Sequence, residues 1–286
     1  MASPMVAPPL PEQVLPAAEA MAQISAIMKQ RSGVVLAPNR AALAQARLAR
    51  RLDELGLETL SDYATYLKGP SGYEEVEVMI DLLTTNTTAF FREPHHFDLL
   101  SRDVILPAVR QAQAGRRDRT IRIWSAGCSR GHEPYSIAGV LLRDLPNQIG
   151  WNAKVLATDI DTTTLNYAMA GRYLVQEASA VPEAMRKHVF KGVRGDEAQV
   201  SEAARSLVVF KRLNLIGDWP VKKAYDAIFC RNVLIYFDRE LQEEILNNFA
   251  KRLKPGGRIF LGHSESVKGM RVSLRLVGST TYALAD

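Results

Sequence analysis

The sequence predicts an α/β protein in which a small all-helical domain precedes a parallel sheet, and two observations support that prediction. Residues from about 17 to 88 show helical periodicity without a strand pattern, whereas strand patterns alternate with amphipathic helix patterns from about residue 119 onward. Such alternation is typical of a parallel sheet with right-handed helical crossovers. Residues 172–213 break the alternation with a short helix and a Gly-containing turn, which we interpret as an inserted β-containing subdomain.

The N-terminal region opens with "MASPMVAPPLPEQVLP", which lacks both a basic start and a continuous apolar run. We therefore expect a disordered tail there and no signal peptide. The first three helices should end at Gly33, Gly56 and Gly69, and Asn39 should cap the start of the second. The linker "TTNTTAFFREPHHF" mixes Thr, aromatic and charged residues, unlike a passive connection. The expected divisions are a tail at 1–16, a helical domain at 17–83, a linker at 84–97 and an α/β domain at 98–286.

The strands and helices of the α/β domain follow one another in a regular order. Strand-like "TIRIWSA" precedes helix-like "EPYSIAGVLLRDL", and "NAKVLATDI" precedes "DTTTLNYAMAG". Strand-like "YDAIFCRN" is followed by a helix from Asp238, by the strand "RIFLGHS" and by a β-rich C-terminal stretch.

Composition narrows the class of protein without deciding its partner. No apolar run approaches the roughly 18 residues that a membrane span needs, so we expect no membrane insertion. Two cysteines in 286 residues suggest a reducing compartment, for which the cytoplasm is the default, and Cys128 and Cys230 are expected to be small core residues. The net charge of +5 favours an acidic partner, either nucleic acid or a protein surface.

The turn after the first strand, "SAGCSRGHEPYS", limits the ligand class. Its glycines follow the pattern G-x-x-x-G, which is neither a dinucleotide fingerprint nor a phosphate-binding P-loop. Glycine lets a ligand approach the backbone, although an ordinary strand-to-helix turn would use the same residues. Glu133, at the start of the following helix, would repel phosphate and suit a cationic or hydroxyl-bearing ligand.

Other strand ends carry residues that suit a nucleoside. Asp159 ends the second strand, where an acid can accept hydrogen bonds from ribose hydroxyls. Its alternative role is a helix N-cap, but Asp161 or Thr162 would serve better there. A ribose-binding acid without a phosphate cradle points to S-adenosylmethionine, whose amino group could meet Glu133 and whose carboxylate could meet an Arg.

The chain resembles the chemoreceptor glutamate methyltransferases of bacterial chemotaxis (CheR type). The resemblance covers most of residues 20–286 and rests on "TTNTTAFFREPHHF", "RIWSAGCSRGHEPYSIA", "ATDID", "VVFKRLNL", "YDAIFCRNVLIYFD" and "LKPGGRIFLGHSES". It implies a helical receptor-binding domain and a Rossmann-like class I methyltransferase sheet with the inserted subdomain at about 172–213. It also implies S-adenosyl-L-methionine as cofactor, S-adenosyl-L-homocysteine as product, and methyl esters of receptor glutamates as the outcome of catalysis, which serves sensory adaptation.

Carried over residue by residue, the resemblance implies a cofactor site with the linker as a lid. It places Arg92 and Tyr236 beside the methyl group as the catalytic pair. Arg130 and His132 replace a Thr and an acid of the usual family pattern, and we expect His132 to be exposed. No metal is expected. The cofactor-binding set is Asn86, Thr88, Arg92, Glu133, Asp159, Asn214, Leu215, Arg231 and Asn232.

The expected acceptor, a glutamate carboxylate with a pKa near 4.3, is already ionised at pH 7 and needs no general base. That agrees with the apparent lack of a His–acid pair at the strand ends. Arg92 or Arg231 could hold the acceptor, and Tyr236 could orient it. The sequence "RNVLIY" in place of the N/D-P-P-Y used for amino acceptors argues against base or amine methylation.

The second predicted helix offers a receptor-binding face. Arg40, Arg47 and Arg51 fall within about 40° of one another at 100° per residue, and Leu48, Leu52 and Leu55 fall on another face. The arginines would meet acidic helices of the receptor, although a solvated cationic face would look the same.

Some family members bind a receptor's C-terminal pentapeptide on the inserted subdomain. The turn "KGVRGDEAQ" is shorter than theirs, so we expect receptor recognition without that tether.

Two other functions remain open from the sequence. A methyltransferase acting on nucleic acid would explain the positive charge, and a cofactor-sensing adaptor without turnover would keep the pocket. Intact Arg92 and Tyr236 argue against the adaptor. The expected protein is a cytoplasmic monomer that binds the cytoplasmic helices of methyl-accepting receptors, is recruited to receptor arrays at the membrane, and does not bind nucleic acid.

Overall fold

The computed structural model describes residues 16–36, 40–84, 86–145, 150–221 and 223–285. The predicted tail lies almost entirely outside these residues, as does Asn39, the predicted cap of the second helix. The chain divides into two compact units. One unit holds the N-terminal helices up to Leu83, and the other holds residues from Thr84 to the C-terminus together with the short stretch Ser32–Val34.

The described residues of the first unit form four α-helices: α1 (Ala17–Ser32), α2 (Ala41–Leu55), α3 (Leu60–Lys68) and α4 (Gly72–Leu83). Helices α1, α2 and α3 stop directly before Gly33, Gly56 and Gly69, as the sequence predicts. Gly56 takes the left-handed conformation, and its N–H donates to the carbonyl of Asp53. A reciprocal capping box between Thr59 and Asp62 starts α3.

Inside this unit, a buried ion pair joins α2 to α4. The Glu75 side chain is 4% exposed, and its oxygens lie 2.7 and 3.0 Å from nitrogens of Arg51. The hydroxyl of Tyr63, on α3, donates to the same carboxylate at 2.8 Å. Three helices are therefore connected through one carboxylate, whose negative charge is offset by Arg51.

The second unit is built on a seven-stranded sheet in the order β6-β2-β1-β7-β8-β10-β9. The first five strands in that order are parallel, and the C-terminal hairpin adds the two antiparallel ones. The sequence and the family resemblance predict this parallel sheet except for its edge strand Val208–Arg212, which they place in the inserted subdomain. The strands are β1 (Thr120–Ala126), β2 (Asn152–Asp159), β6 (Val208–Arg212), β7 (Tyr225–Cys230), β8 (Leu253–Leu261), β9 (Leu274–Gly278) and β10 (Thr281–Leu284).

The core of this unit consists of two clusters of apolar side chains. Apolar side chains of β1 and β7 alternate between these clusters, with Ile123 in one and Trp124 in the other. Cys128 and Cys230 are both buried, as expected. The helices are α5 (His95–Leu100), α6 (Leu106–Gln113), α7 (His132–Asp144), α8 (Thr162–Ala170) and α12 (Arg239–Ala250). The sequence analysis did not identify α5 and α6, which a π-helical turn at Ser101–Ile105 joins.

The inserted subdomain is smaller than predicted. Its antiparallel sheet has the order β3-β5-β4, with strands Arg172–Leu174, Glu197–Val200 and Phe190–Arg194. Its helices are α9 (Val175–Ser179), α10 (Glu183–Val189) and α11 (Glu202–Leu207). The prediction that 172–213 forms the subdomain is wrong for its last strand, because Val208–Arg212 pairs in parallel with β2 and completes the main sheet.

Candidate active site

Asp159 ends β2 beside the glycine turn that follows β1. The backbone N–H of Ser129 donates to one of its oxygens at 2.7 Å, and the N–H of Asp161 donates to the other at 3.0 Å. Burial nevertheless raises the pKa of Asp159 to about 6. Two donors do not fully offset the cost of ionising this buried carboxyl group. Further hydrogen bonds from ligand hydroxyls would therefore stabilise its ionised form.

Asp161 takes the capping role, which leaves Asp159 available, as the sequence predicts. Its side chain caps α8 by accepting the N–H of Thr164. The other oxygen of Asp161 accepts the amide of Asn86 at 2.6 Å, and the Ser129 hydroxyl donates to the backbone carbonyl of Asn86 at 3.2 Å. The start of the linker is therefore fixed beside the end of β2.

Arg231, directly after β7, forms an ion pair with Glu133 at the start of α7. One nitrogen of its guanidinium lies 3.2 Å from a Glu133 oxygen, and the other Glu133 oxygen accepts the Ser125 hydroxyl at 2.7 Å. The Arg231 side chain is only 3% exposed. Burial raises the pKa of Glu133, and the charge of Arg231 opposes that rise.

Glu93 is a site residue that the sequence analysis missed. Its carboxylate lies 3.5 Å from the Arg231 guanidinium, which also donates to the backbone carbonyl of Arg92. Burial resists ionisation of Glu93, but Arg231 and a hydrogen bond from His263 outweigh it and lower the pKa. The sequence signal that could have identified Glu93 is its position in "FFREP", directly after the predicted site residue Arg92. Together, these contacts connect the linker to the ends of β7 and β8.

The expectation that the strand ends lack a His–acid pair is wrong. His263, which follows β8, places its Nδ1 3.1 Å from an oxygen of Glu93. The partners are 170 residues apart, so a search confined to each strand end does not find them. His263 is 69% exposed, which leaves much of its ring accessible to solvent.

Two further histidines lie against Glu93. Ligand atoms of Glu93, His95 and His96 lie within 4.8 Å of one another. Burial and the charge of Arg231 lower the pKa of His96 to about 4, so its ring is neutral at pH 7. Arg231 already supplies a positive charge to Glu93, and that charge disfavours a metal cation at this position.

The two predicted site arginines differ in their electrostatic surroundings. Arg92 is partly buried, and its guanidinium donates to the carbonyl of Thr87 at 3.2 Å. Among the ion pairs of the described residues, Arg92 takes part in none, whereas Arg231 is paired with both Glu133 and Glu93. The positive charge of Arg92 is therefore available to a ligand, while that of Arg231 is neutralised within the protein.

The remaining predicted residues lie near these strand ends or make local contacts. Tyr236 ends a short 3₁₀ turn, and Asn232 has a positive φ of 60°. Asn214 accepts the N–H of Ile216, and Leu215 packs in the core beneath the sheet. Thr88 is a partly buried linker residue.

His132 is buried, so the expectation that it is exposed is wrong. Its Nε2 lies 3.2 Å from a carboxylate oxygen of Glu177, and its ring is 4.5 Å from that of Phe90. Burial lowers the pKa of His132 to about 4. Arg130 stacks at 3.9 Å on Tyr167 and lies 3.4 Å from the same Glu177. Arg130 and His132 therefore attach the glycine turn to the inserted subdomain, which local sequence could not show.

In the helical unit, the predicted arginine stripe is partly used by the fold. Arg51 is held by Glu75, as described above, and Arg47 donates to the carbonyl of Leu82 at 3.0 Å. Arg40 lies at the start of α2 and is partly buried. The contact with Glu75 gives Arg51 a structural role, and the receptor-binding role of the stripe stays a prediction.

Comparison with known proteins supports the fold class and the cofactor. The model of the CheR methyltransferase SAM-binding domain matches residues 86–283, and that of the CheR all-alpha domain matches residues 19–84. The chain belongs to the CheR methyltransferase family. It is an S-adenosylmethionine-dependent methyltransferase of chemotaxis, and the predicted fold class, with its helical domain and methyltransferase sheet, is confirmed.

Individual relatives agree over most of their length. A probable chemotaxis protein methyltransferase of Rhizobium etli is 41% identical over 256 residues, which cover 88% of this chain and 94% of that protein. The chemotaxis protein methyltransferase of Escherichia coli is 40% identical over 268 residues, which cover 92% of this chain and 90% of that protein.

Among solved structures, PKMT2 from Rickettsia typhi matches over 62% of this chain and 26% of its own chain, with 15% identity and a TM-score of 0.37.

The donors and acceptors at the strand ends fit the cofactor. Asp159 could accept hydrogen bonds from ribose hydroxyls, and Glu133 is an acid suited to an ammonium group. No phosphate-binding loop is needed, because S-adenosylmethionine carries no phosphate. Within the described ranges, no helix is long and apolar enough to cross a bilayer.

Proposed function

We propose that this enzyme transfers a methyl group to glutamate side chains of chemoreceptors and forms methyl esters. The observation that supports this acceptor is the difference between the two site arginines. Arg231 is neutralised by Glu133 and Glu93, whereas Arg92 has no ion-pair partner among the described residues. An acceptor that brings its own negative charge would complete the site, and a neutral amine or base would not.

The cofactor, when bound, supplies an electrophilic methyl group on a sulfonium. Asp159 would hold the ribose, and Glu133, with Asn86 and Thr88 of the linker, would hold the remainder. The linker would exclude water as a lid, which keeps charged groups in the site effective. The guanidinium of Arg231 lies 3.2 Å from the Glu133 carboxylate, and its charge opposes the rise in the pKa of Glu133 that burial causes.

Arg92 would bind and orient the acceptor carboxylate, and Tyr236 would donate a hydrogen bond that fixes its direction. The carboxylate is ionised at pH 7, so no proton needs to be removed before transfer. Catalysis would then depend mainly on alignment of donor and acceptor. The hydrogen bond from the Arg92 guanidinium to the carbonyl of Thr87 restricts its position, so Arg92 can orient the acceptor carboxylate without moving fully onto it.

A second candidate function follows from the pair of Glu93 and His263. A histidine oriented by an acid is the arrangement that deprotonates a neutral acceptor, such as an amine or a nucleic-acid base. We place this function second because Glu93 also pairs with Arg231, which gives it a structural role that needs no acceptor chemistry.

Recognition of the receptor would use the helical unit at the cytoplasmic face of receptor arrays, with the enzyme acting as a monomer. Arg40, Arg47 and Arg51 of the predicted stripe would meet acidic receptor helices, and Arg51 also has a structural contact with Glu75. The hairpin of β4 and β5 has only Gly195 and Asp196 between its strands, which supports recognition without a tail pentapeptide.

The two acceptor classes can be separated with a pair of variants. Arg92→Ala should lower kcat on receptor-bearing membranes by at least about 100-fold, and His263→Ala should leave it within about threefold, because only orientation is needed. Arg102→Ala, a side chain 70% exposed in a surface ion pair, is the matched control and should behave as wild type. If His263→Ala abolishes transfer while Arg92→Ala is tolerated, the acceptor requires deprotonation and the second function replaces the first.

A further inference from the structure

Glu265 lies just after β8 and binds the backbone of the segment that follows β7. Its side chain is buried, and its oxygens accept the N–H groups of Asn232 at 3.0 Å, Val233 at 2.9 Å and Leu234 at 2.8 Å. A fourth N–H, from Gly262, donates at 2.5 Å. A buried carboxylate is costly unless its oxygens are satisfied, so this arrangement strongly favours one position of the segment.

The segment held by Glu265 carries three predicted site residues. Arg231 precedes the bound N–H groups, Asn232 supplies one of them, and Tyr236 ends the 3₁₀ turn that begins at Leu234. The N–H of Tyr236 donates to the carbonyl of Val233 at 3.2 Å. The φ of +60° at Asn232 lies in the left-handed region, which Asn tolerates better than most residues, and the hydrogen bond from its N–H to Glu265 helps to hold it there.

The same segment interlocks with the glycine turn of the cofactor site. A Cβ placed on Gly127 would lie 2.3 Å from a methyl carbon of Val233, so Val233 occupies the space that any side chain at Gly127 would need. Gly127 also has a φ of +76°, which favours glycine. The N–H of Val233 is bound by Glu265, so the carboxylate sets the distance between the turn and the segment.

We propose that Glu265 is a positioning residue for methyl transfer. It touches no substrate, but it fixes the backbone that presents Tyr236 to the acceptor and Asn232 to the cofactor. The inference rests on the proposed function for the roles of those two side chains. A backbone shift of about 1 Å at such a segment is enough to cost about 100-fold in rate, so the role should appear in kcat.

Glu265→Gln tests the carboxylate directly. The amide has one acceptor oxygen and one donor group, and each carboxylate oxygen accepts two N–H groups, so two of the four backbone N–H groups would face another donor. We expect kcat at saturating receptor to fall at least about 10-fold, and affinity for S-adenosylhomocysteine by calorimetry to fall about three- to tenfold. Glu244→Gln makes the same chemical change at an exposed position and should alter neither quantity.

Gly262→Ala perturbs the same contact from the other side. The added Cβ would lie 2.5 Å from the side-chain nitrogen of Asn232, 2.9 Å from a Glu265 oxygen and 2.8 Å from the backbone nitrogen of Asn232, so the segment must move. Gly278→Ala is the matched control, because its Cβ would meet its nearest neighbour at 3.4 Å, an ordinary contact. Ile245→Val, in the buried core, provides a variant that loses stability without touching the segment.

The proposal predicts that Glu265→Gln and Gly262→Ala lose kcat and cofactor affinity, while Ile245→Val loses only thermal stability. It is overturned if either site variant, once shown to be folded by circular dichroism, keeps kcat and cofactor affinity within twofold of wild type. Should Glu265→Gln fail to fold, Gly262→Ala alone decides. If wild type itself transfers no methyl group to receptors, the proposed function fails, and the calorimetric comparison still tests the positioning role.

Discussion

Replacement of Asp159 by alanine should weaken cofactor binding while leaving the fold intact. The wild-type carboxylate accepts the N–H groups of Ser129 and Asp161 and would accept the ribose hydroxyls as well. Loss of hydrogen bonds to a charged group costs about 1–3 kcal/mol, which corresponds to an affinity reduced about 5- to 150-fold. We expect the upper half of that range, because the same change releases the Ser129 turn that contacts Asn86.

The pH dependence of binding provides a second and more specific signature. Burial raises the pKa of Asp159 to about 6 in the cofactor-free protein, and hydroxyl donors favour its ionised form. Binding of the cofactor therefore favours release of a proton. The affinity for the cofactor should be highest, and independent of this carboxyl group, above pH 6. Below pH 6 it should fall by at most about tenfold for each pH unit, because the protonated group must lose its proton on binding. In Asp159→Ala that contribution should disappear.

Isothermal titration of S-adenosylhomocysteine between pH 5 and 8 measures both effects. Asp218→Ala, an exposed aspartate in the same unit, serves as the control and should reproduce the wild-type affinity and slope. An Asp159→Ala variant that is folded, binds with wild-type affinity and retains the same slope below pH 6 would remove Asp159 from the cofactor site.

Three further predictions concern the helical unit and the inserted subdomain. Arg51→Ala should destabilise the helical unit by about 3 kcal/mol in urea unfolding, since Glu75 would stay buried without its cation, whereas Arg50→Ala, with a side chain 88% exposed, should change little. Arg40→Glu should slow receptor methylation without changing cofactor affinity, and equal slowing by Arg50→Glu would indicate a general charge effect. A receptor-tail pentapeptide should show no micromolar binding by titration; measurable binding would establish the tether.

The sequence predicted the features that depend on neighbouring residues. Asp161 was recognisable as the cap of α8 from its position before the helix, and this left Asp159 for another role. The stops at Gly33 and Gly56 follow from the conformational freedom of glycine after an amphipathic stretch. Four parallel strands and a β-rich C-terminal stretch followed from the alternation of patterns, whereas the fifth parallel strand did not.

The features that the sequence could not predict depend on long-range contacts. Glu93 and His263 are 170 residues apart, and neither forms a recognisable pair in its own segment. The strand Val208–Arg212 resembled the end of the inserted subdomain until its pairing with β2 was known. His132 reads as a lone polar residue, and its burial against Phe90 depends on the packing of the linker.

The structural role of Arg51 was hidden for a related reason. A helical wheel places it on the same face as Arg40 and Arg47, but the wheel contains no information about Glu75 on α4. An arginine stripe can therefore combine residues that maintain the fold with residues that bind a partner. The single substitutions above separate these roles, which a triple reversal of charge would confuse.

The central claim is that the acceptor is a carboxylate and the product an ester. Receptor-bearing membranes labelled with the methyl group of S-adenosylmethionine by this enzyme, then treated with mild alkali, measure it most directly. Hydroxide cleaves a methyl ester but not an N-methyl group or a methylated base, so the label should leave as volatile methanol, and Arg92→Ala should suppress that signal at saturating cofactor. Label that remains on the macromolecule through alkali would contradict the account.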